Sequence, residues 1–415
     1  MKKVLIICDL FPPAFGPRMG YLCKYLRNQG WEPVVLTEAV DEKTFTFLAE
    51  GNQVTYVNYY TTKNTFVRKI QWICTLLLDL CFGFKDAHMY RAAQKLTKEN
   101  HFDLILCSSY RTFPLPAALK TARKQNLPLV VDLRDIIEQY TGDEFISHAL
   151  PAFCGLNKLS ISVFKRKSLR DRNRVLQQAG YITTVSPWHV DILKQYNPNV
   201  ELIYNGFDPE LFYPEQKKTN RFIITYTGRL LSTAMRDPGL LLEALAILAA
   251  ENIFTEKDCR VYWYVDDASR EIITGEAKKH GVSAFMDFKG YVPACDIPSV
   301  LNNSSVLLLL TNQAKGTGPK GIMTTKFFEA LAVEKPILCV RSDESCLAQT
   351  IRETNAGLAA TEVNEVCRFL KSYYNEWKEK GYTSSPTDKN KLIRFSREEQ
   401  AKQFTQIFEK TKIHG

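Results

Sequence analysis

Arg229 and Arg236 stand in the stretch GRLLSTAMRDPGLLL, residues 228–242. An apolar, β-branched run (RFIITYT) precedes it and an apolar helical pattern (LLLEALAILA) follows. Two permanent cations just past a buried strand need a reason, because charge at the edge of a core is costly. A docked anion supplies one. The guanidinium is a planar fork of donors that matches phosphate oxygens. Gly228, Ser232 and Thr233 lie in the same segment. The competing reading is two solvated loop arginines.

Three further loops carry residues of this kind. In LFPPAFGPRMG (10–20), two prolines stiffen the exit from a first strand, and Gly16 permits close backbone approach. Pro17 suits the first turn of a helix, whose free N–H groups, with Arg18 beside them, would face an anion. A plain turn with a surface arginine is the alternative. In VDLRD, Asp132, Arg134 and Asp135 end an apolar strand, so the strand end either opens into a site or holds an Arg–Asp pair. In KGTGPKGIMTTKFFEALAVEKP, Gly316, Gly318 and Gly321 loosen a loop with Lys315 and Lys320. A helix follows, with Thr324 as its cap and Thr325 at its start. Lys326 and Glu329 share one face of it. Glu329 could accept hydrogen bonds from ribose hydroxyls and Lys326 could neutralise phosphate; a surface ion pair between them is the alternative. Neither G-x-G-x-x-G nor G-x-x-x-x-G-K-[ST] is present, and no D-x-D offers a carboxylate pair to a divalent metal. The cations themselves would then stabilise a departing diphosphate.

These loops need rigid elements behind them. Strand-like runs at 2–9, 33–37, 54–58, 103–108, 128–133 and 181–185 alternate with amphipathic segments such as 18–29 and 115–125. The pattern restarts with strands at 221–227, 260–265, 285–289, 305–311 and 336–340, and helices at 239–250, 268–280, 324–333 and 363–379. Short apolar strands alternating with helices predict a parallel sheet covered on both faces. The break at 205–220 is rich in Pro, Asn and charge. The expectation is an α/β protein of two Rossmann-like α/β/α domains facing across a cleft, residues 1–205 and 206–395. A closing helix, 396–415, with a capping box at Ser396 and Glu399, would pack back toward the first domain. Ligands of such sheets sit beyond the carboxyl ends of the strands.

Composition agrees with a globular chain of this kind. Of 415 residues, 45% are apolar and 24% charged, with a net charge of +9 that suggests anionic partners. Eleven scattered cysteines without a C-x-x-C pair predict buried reduced thiols in a cytosolic protein. The opening MKKVLIIC is too short for a signal peptide, and the longest apolar tract, 70–84, is too short to span a bilayer.

Taken together, FPPAFGPRMG, VVDLRD, TTVSPWHVDIL, IYNGFD, TGRLLSTAMRDPGLLLEAL, TKFFEALAVEKPIL and FSREEQAKQFTQIFEK resemble the family-4 glycosyltransferases of the GT-B fold. More narrowly, they resemble the bacterial enzymes that build capsule, O-antigen and exopolysaccharide. The resemblance covers nearly the whole chain. It implies retaining transfer of a sugar from a nucleotide diphosphate-sugar, with no cofactor and no bound metal. By position it makes Arg229 and Arg236 the diphosphate clamp, Glu329 the ribose ligand, and Gly16 the loop that approaches diphosphate and acceptor. Gly228, Thr325 and Lys326 join the donor site. Asp135 joins the two arginines as a catalytic candidate, and Arg18, Arg134 and Ser108 fall on the acceptor side. Three departures stand out. The second basic residue of the clamp, usually Lys, is Arg236 one position later; Gly321 replaces a glutamate; and Arg134 stands where many relatives have His. In a front-face mechanism the leaving phosphate takes the acceptor proton, and no base is needed.

The acceptor side has its own signals. Residues 158–174 (KLSISVFKRKSLRDRNR) hold seven basic residues and one acid, with Val163 and Leu169 among them. Such a segment can lie on anionic lipid. The tract 66–84 repeats apolar residues at 70, 73, 77, 80 and 84, a pattern more often core than lipid-facing. The expectation is a cytoplasmic protein, peripheral to the inner membrane, with a polyprenyl-diphosphate-linked or other glycan acceptor. Nucleic acid is not an expected partner, since the basic run lacks interleaved aromatics. A nucleotide-sugar epimerase on the same fold and a catalytically inactive nucleotide-sugar-binding partner are the alternatives.

Overall fold

A computed structural model describes residues 1–60, 64–140, 157–230, 232–234, 236–311, 323–341 and 345–413. The chain divides into two compact units, Met1–Tyr204 with Gln400–Gly415, and Asn205–Glu399.

In the first unit the strands are β1 (Lys2–Cys8), β2 (Trp31–Glu38), β3 (Gln53–Val57), β4 (Leu104–Ser109), β5 (Leu129–Leu133), β6 (Tyr181–Thr184) and β7 (Val200–Leu202). Between them run α1 (Pro17–Leu26), α2 (Thr65–Phe82), α3 (Phe84–Glu99), α4 (Leu115–Gln125), α5 (Asn157–Leu176) and α6 (Pro187–Leu193). All seven strands pair in parallel, in the order β3-β2-β1-β4-β5-β6-β7. The central strands bury residues on both faces, which is why they read as unbroken apolar runs.

The second unit repeats the plan. Its strands are β8 (Phe222–Thr227), β9 (Cys259–Tyr264), β10 (Met286–Phe288), β11 (Val306–Leu310), β12 (Ile337–Val340) and β13 (Gly357–Ala360). They form a parallel sheet in the order β10-β9-β8-β11-β12-β13. Its helices are α7 (Gly239–Ala250), α8 (Asp267–Lys279), α9 (Ile297–Asn302), α10 (Thr325–Ala332), α11 (Cys346–Glu353), α12 (Val363–Lys380) and α13 (Lys389–Leu392). Helix α14 (Arg397–Ile413) follows, with the Ser396 hydroxyl accepting the Glu399 N–H at 3.1 Å. Its Ala401, Phe404, Ile407 and Phe408 pack in the core of the first unit with Val4, Ile6 and Trp31.

Two strands were not expected. β7 is three residues, Val-Glu-Leu, and β13 is Gly-Leu-Ala-Ala. Neither has the β-branched run that marks a strand; sheet-edge pairing with β6 and β12 makes them. The thiols are also mixed rather than uniformly buried: Cys8, Cys107 and Cys339 lie inside, while Cys74, Cys81 and Cys295 are exposed.

Candidate active site

Each sheet has a switch point, where successive connections leave in opposite directions and open a crevice at the strands' carboxyl ends. In the second unit it lies between β8 and β11. The loop after β8 carries Gly228, Arg229 and Arg236, and α10 follows β11. The loop between β11 and α10, with Lys315, Gly316, Gly318, Lys320 and Gly321, lies outside the described residues.

Helix α10 is fixed from behind. Phe327, Phe328 and Leu331 are fully buried, and the Thr324 hydroxyl caps the helix by accepting the Lys326 N–H at 3.2 Å. Its first residue, Thr325, and the side chains of Lys326 and Glu329 stay half-buried. Lys326 does not lie flat on the surface. Its ammonium stands 5.4 Å from the centre of the Tyr226 ring and rests on Gly228. A Cβ on Gly228 would come within 1.5 Å of Lys326 Nζ, and Gly228 has φ +126°. Only glycine suits both demands.

The two arginines close the group. Arg236 donates through Nη1 to the carbonyl of Arg229, and the Tyr226 hydroxyl donates to the same oxygen at 3.0 Å. Arg229 Nε lies 3.2 Å from Asp266, the cap of α8, and the arginine side chain is 74% exposed, so it is free to swing toward a ligand. Burial, then the nearby Arg236 and Arg229, push the Lys326 ammonium down to about 8 despite Glu329. Burial raises the Glu329 carboxyl to about 7, against the pull of Arg397 and Lys326. Three cations thus crowd one helix amino terminus with one half-ionised carboxylate, an arrangement that an anion relieves. The alternative reading, a surface ion pair between Lys326 and Glu329, is not what positions them. Tyr226, Asp266 and Arg397 were not anticipated. Arg397 was visible only as part of a capping pattern, since nothing local in the chain links it to Glu329.

In the first unit the switch point lies between β1 and β4. Gly16 caps α1 there, and a Cβ on it would meet the Leu10 carbonyl oxygen at 2.7 Å, so the turn itself requires glycine. Arg18 is a correction to the expected anion and acceptor ligand. It is 4% exposed, and its guanidinium grips Asp132 at 2.9 Å and donates to the carbonyls of Ile203 and Tyr204. Ser108 is likewise corrected: it is fully buried and donates to Asp132 at 2.9 Å. Burial would raise the Asp132 carboxyl, but Arg18, Thr183 and Ser108 outweigh it and hold the pKa below the usual range. Arg134 also departs from the acceptor role. It pairs with buried Asp9 and stacks over Tyr110, and Arg111 stands 3.9 Å from the same carboxylate. Burial raises the Asp9 carboxyl, and Arg134 and then Arg111 pull against that rise. The paired reading of VDLRD therefore holds, with partners outside the motif. Asp135 is half-buried; Gln139 donates to it at 2.9 Å, and burial raises its pKa. Gln139 in turn meets His189 at 3.0 Å.

Among the described residues no group of three metal-ligating side chains occurs, and no helix is long and apolar enough to cross a membrane.

Residues 18–211 match the model of Glycosyltransferase Family 4. No curated protein sequence matches the chain. Among solved structures, HepE of Anabaena in complex with UDP and glucose is 15% identical, with a TM-score of 0.63 over 98% of this chain and 99% of that one. Sucrose-phosphate synthase of Thermosynechococcus elongatus is 13% identical, with a TM-score of 0.61 over the full length of both chains. A glycosyltransferase of Rickettsia africae is 14% identical, with a TM-score of 0.60 over 99% of this chain and 98% of that one. The fold is that of the GT-B enzymes, two parallel-sheet α/β units, and the match of residues 18–211 to the Glycosyltransferase Family 4 model marks the chain as a glycosyltransferase.

Proposed function

We propose that the chain transfers a sugar from a nucleotide diphosphate-sugar to a lipid-linked glycan acceptor in bacterial surface polysaccharide synthesis. The observation that carries the donor half is the cluster of Arg229, Arg236 and Lys326 at the amino terminus of α10, with Glu329 one turn on. Cations and free N–H groups there take the diphosphate, and the Glu329 carboxylate takes the ribose hydroxyls. As the glycosidic bond breaks, negative charge grows on the leaving phosphate, and preorganised donors stabilise it most at that point. The same phosphate oxygen accepts the proton of the incoming hydroxyl, giving retention without a separate base; Asp135 is the side chain to test against that reading. The expected donor needs no further cofactor. That HepE is seen with UDP and glucose supports this choice of donor class. The acceptor half, with a site on the cytoplasmic face of the membrane, draws on the basic helix α5 and the apolar outer row of α2.

Labelled nucleotide-sugars offered with membrane extract test the reaction. Transfer to a lipid-extractable product supports it. Binding without transfer or hydrolysis favours an inactive binding protein instead, and interconversion of the free nucleotide-sugar favours an epimerase. For the site, Arg236→Ala and Glu329→Ala are each expected to weaken UDP binding about ten- to a hundredfold, the loss of a charged contact of roughly 1.5–3 kcal/mol. The unliganded melting point should hold. Unchanged affinity in both variants rejects the assignment.

A further inference from the structure

Helix α2 is apolar on two sides. One side is anchored: Leu76 and Trp72 pack with Ile137, Tyr140 and the α5 residues Ile161, Phe164 and Leu169. The other side is bare. Phe66 is 73% exposed and Phe82 82%, and Ile70, Leu77 and Leu78 between them are all exposed. With the exposed Val67, Cys74 and Cys81 they recur at spacings of three and four residues, an apolar face over about half the circumference of an 18-residue helix about 27 Å long. The helix is well made in spite of this. Asn64 caps its start by accepting the Phe66 and Val67 N–H groups, and Gly83 ends it in the left-handed region at φ +65°. A contiguous apolar row of this length on a stable helix marks a binding face.

The row runs into a cavity of about 460 Å³ bounded by α2, α3, α4 and α5, with Phe82 on its wall. Four cations line it: Arg111, Lys120, Lys167 and Arg174. Its three carboxylates are largely engaged. Asp171 pairs with Lys167 at 2.9 Å, Asp79 accepts the Lys85 N–H at 2.8 Å, and Asp86 accepts the Ala117 N–H at 3.1 Å. Burial, with Asp79 beside it, pushes the Asp86 carboxyl up to about 8, so it is uncharged near neutrality and can donate to a hydroxyl. Arg111 is turned toward Asp9. Lys120 sits 4.3 Å above the Tyr90 ring, and among the described residues neither Lys120 nor Arg174 meets a carboxylate in an ion pair. The cavity therefore keeps a positive excess at an open mouth, next to hydroxyl-binding groups, with an apolar track leading away.

We propose that cavity and track are one site for an amphiphile: a phosphate-bearing, hydroxylated head in the cavity, and its hydrocarbon chain along the outer row of α2 from Phe82 toward Phe66. Neither half alone explains the other. A free sugar phosphate would leave the track bare, and a flat lipid surface would not need a cavity at its end. The proposal rests on the acceptor reading above and gives that acceptor a place.

The test titrates the whole chain with farnesyl diphosphate, inorganic diphosphate and farnesol by calorimetry, with UDP run in parallel. Farnesyl diphosphate is expected to bind at least about tenfold more tightly than diphosphate, because the chain buries apolar surface. Lys120→Glu with Arg174→Glu should weaken it about tenfold by removing the charged contacts. Leu78→Ser with Phe82→Ser should weaken it by a similar factor. All four side chains are exposed, so both variants keep the fold, and both keep wild-type UDP affinity. Equal affinity for farnesyl diphosphate and diphosphate overturns the proposal, as does indifference to either pair of substitutions. So does self-association of the chain that Phe82→Ser disperses without any binding of farnesyl diphosphate. If UDP binds and farnesyl diphosphate does not, this inference alone fails. If UDP does not bind, the donor reading has failed independently.

Discussion

Both units place arginines at the carboxyl ends of their sheets, and they use them in opposite ways. In the first unit Arg18 and Arg134 turn inward onto Asp132 and Asp9, carboxylates with no exposed surface. In the second unit Arg229, Arg236 and Lys326 crowd together; Arg229 meets only the half-exposed Asp266, and the buried carboxyl beside Lys326, Glu329, is raised to about 7. The residue type is the same; the presence of a buried carboxylate under it differs. Where one is present the cation becomes part of the frame. Where no buried, ionised carboxylate pairs them, as at Lys326 and Arg236, like charges are held together by the frame around them, and that is a state which binding an anion improves.

Three perturbations sharpen this contrast, beginning with the largest. Arg18→Met removes the partner of a buried charge and should cost roughly 3–5 kcal/mol of stability, measured by urea unfolding, with UDP affinity unchanged. The sign with pH is fixed. The depressed Asp132 pKa contributes stability that is present above the ordinary carboxyl range and lost as pH falls through the folded-state value. The gap between variant and wild type should therefore narrow in acid. A variant as stable as wild type would show that Arg18 is not structural. Next, Gly228→Ala forces a side chain into a left-handed backbone and onto the Lys326 ammonium. About 1–2 kcal/mol of stability should go with the strain, and UDP affinity should drop about tenfold. Retained affinity would mean that Lys326 does not need its seat. The smallest effect is on pH. UDP binding should peak between about 7 and about 8. Below that window Glu329 takes a proton and becomes a weaker acceptor for hydroxyls; above it Lys326 loses its charge. A flat profile by calorimetry would remove both groups from the donor site.

The same contrast explains what could be read from the chain. The second-unit site was legible because its residues stand close in sequence, right after apolar strands, where Gly228, Arg229 and Arg236 have no local partner. The first-unit partners were not. Arg18 and Asp132 are 114 residues apart, and Arg134 and Asp9 are 125 apart. Only the parallel pairing of β1 with β4 and β4 with β5 brings them together. The alternation of strand and helix gave the sheets away, since a strand buried on both faces must be apolar throughout. Gly-Leu-Ala-Ala at β13 carries no such mark, and its position beside β12 decides it. The outer row of α2 was ambiguous for a related reason: an apolar helix face looks the same in sequence whether protein or something else covers it.

Helix α14 has a further consequence. Its Phe404 and Phe408 complete the packing around Trp31 and the first strand, although they are translated far downstream of both. The first unit to leave the ribosome therefore lacks part of its own interior until the second has been made. Until then, the groove that receives those rings is open to water and to chaperones.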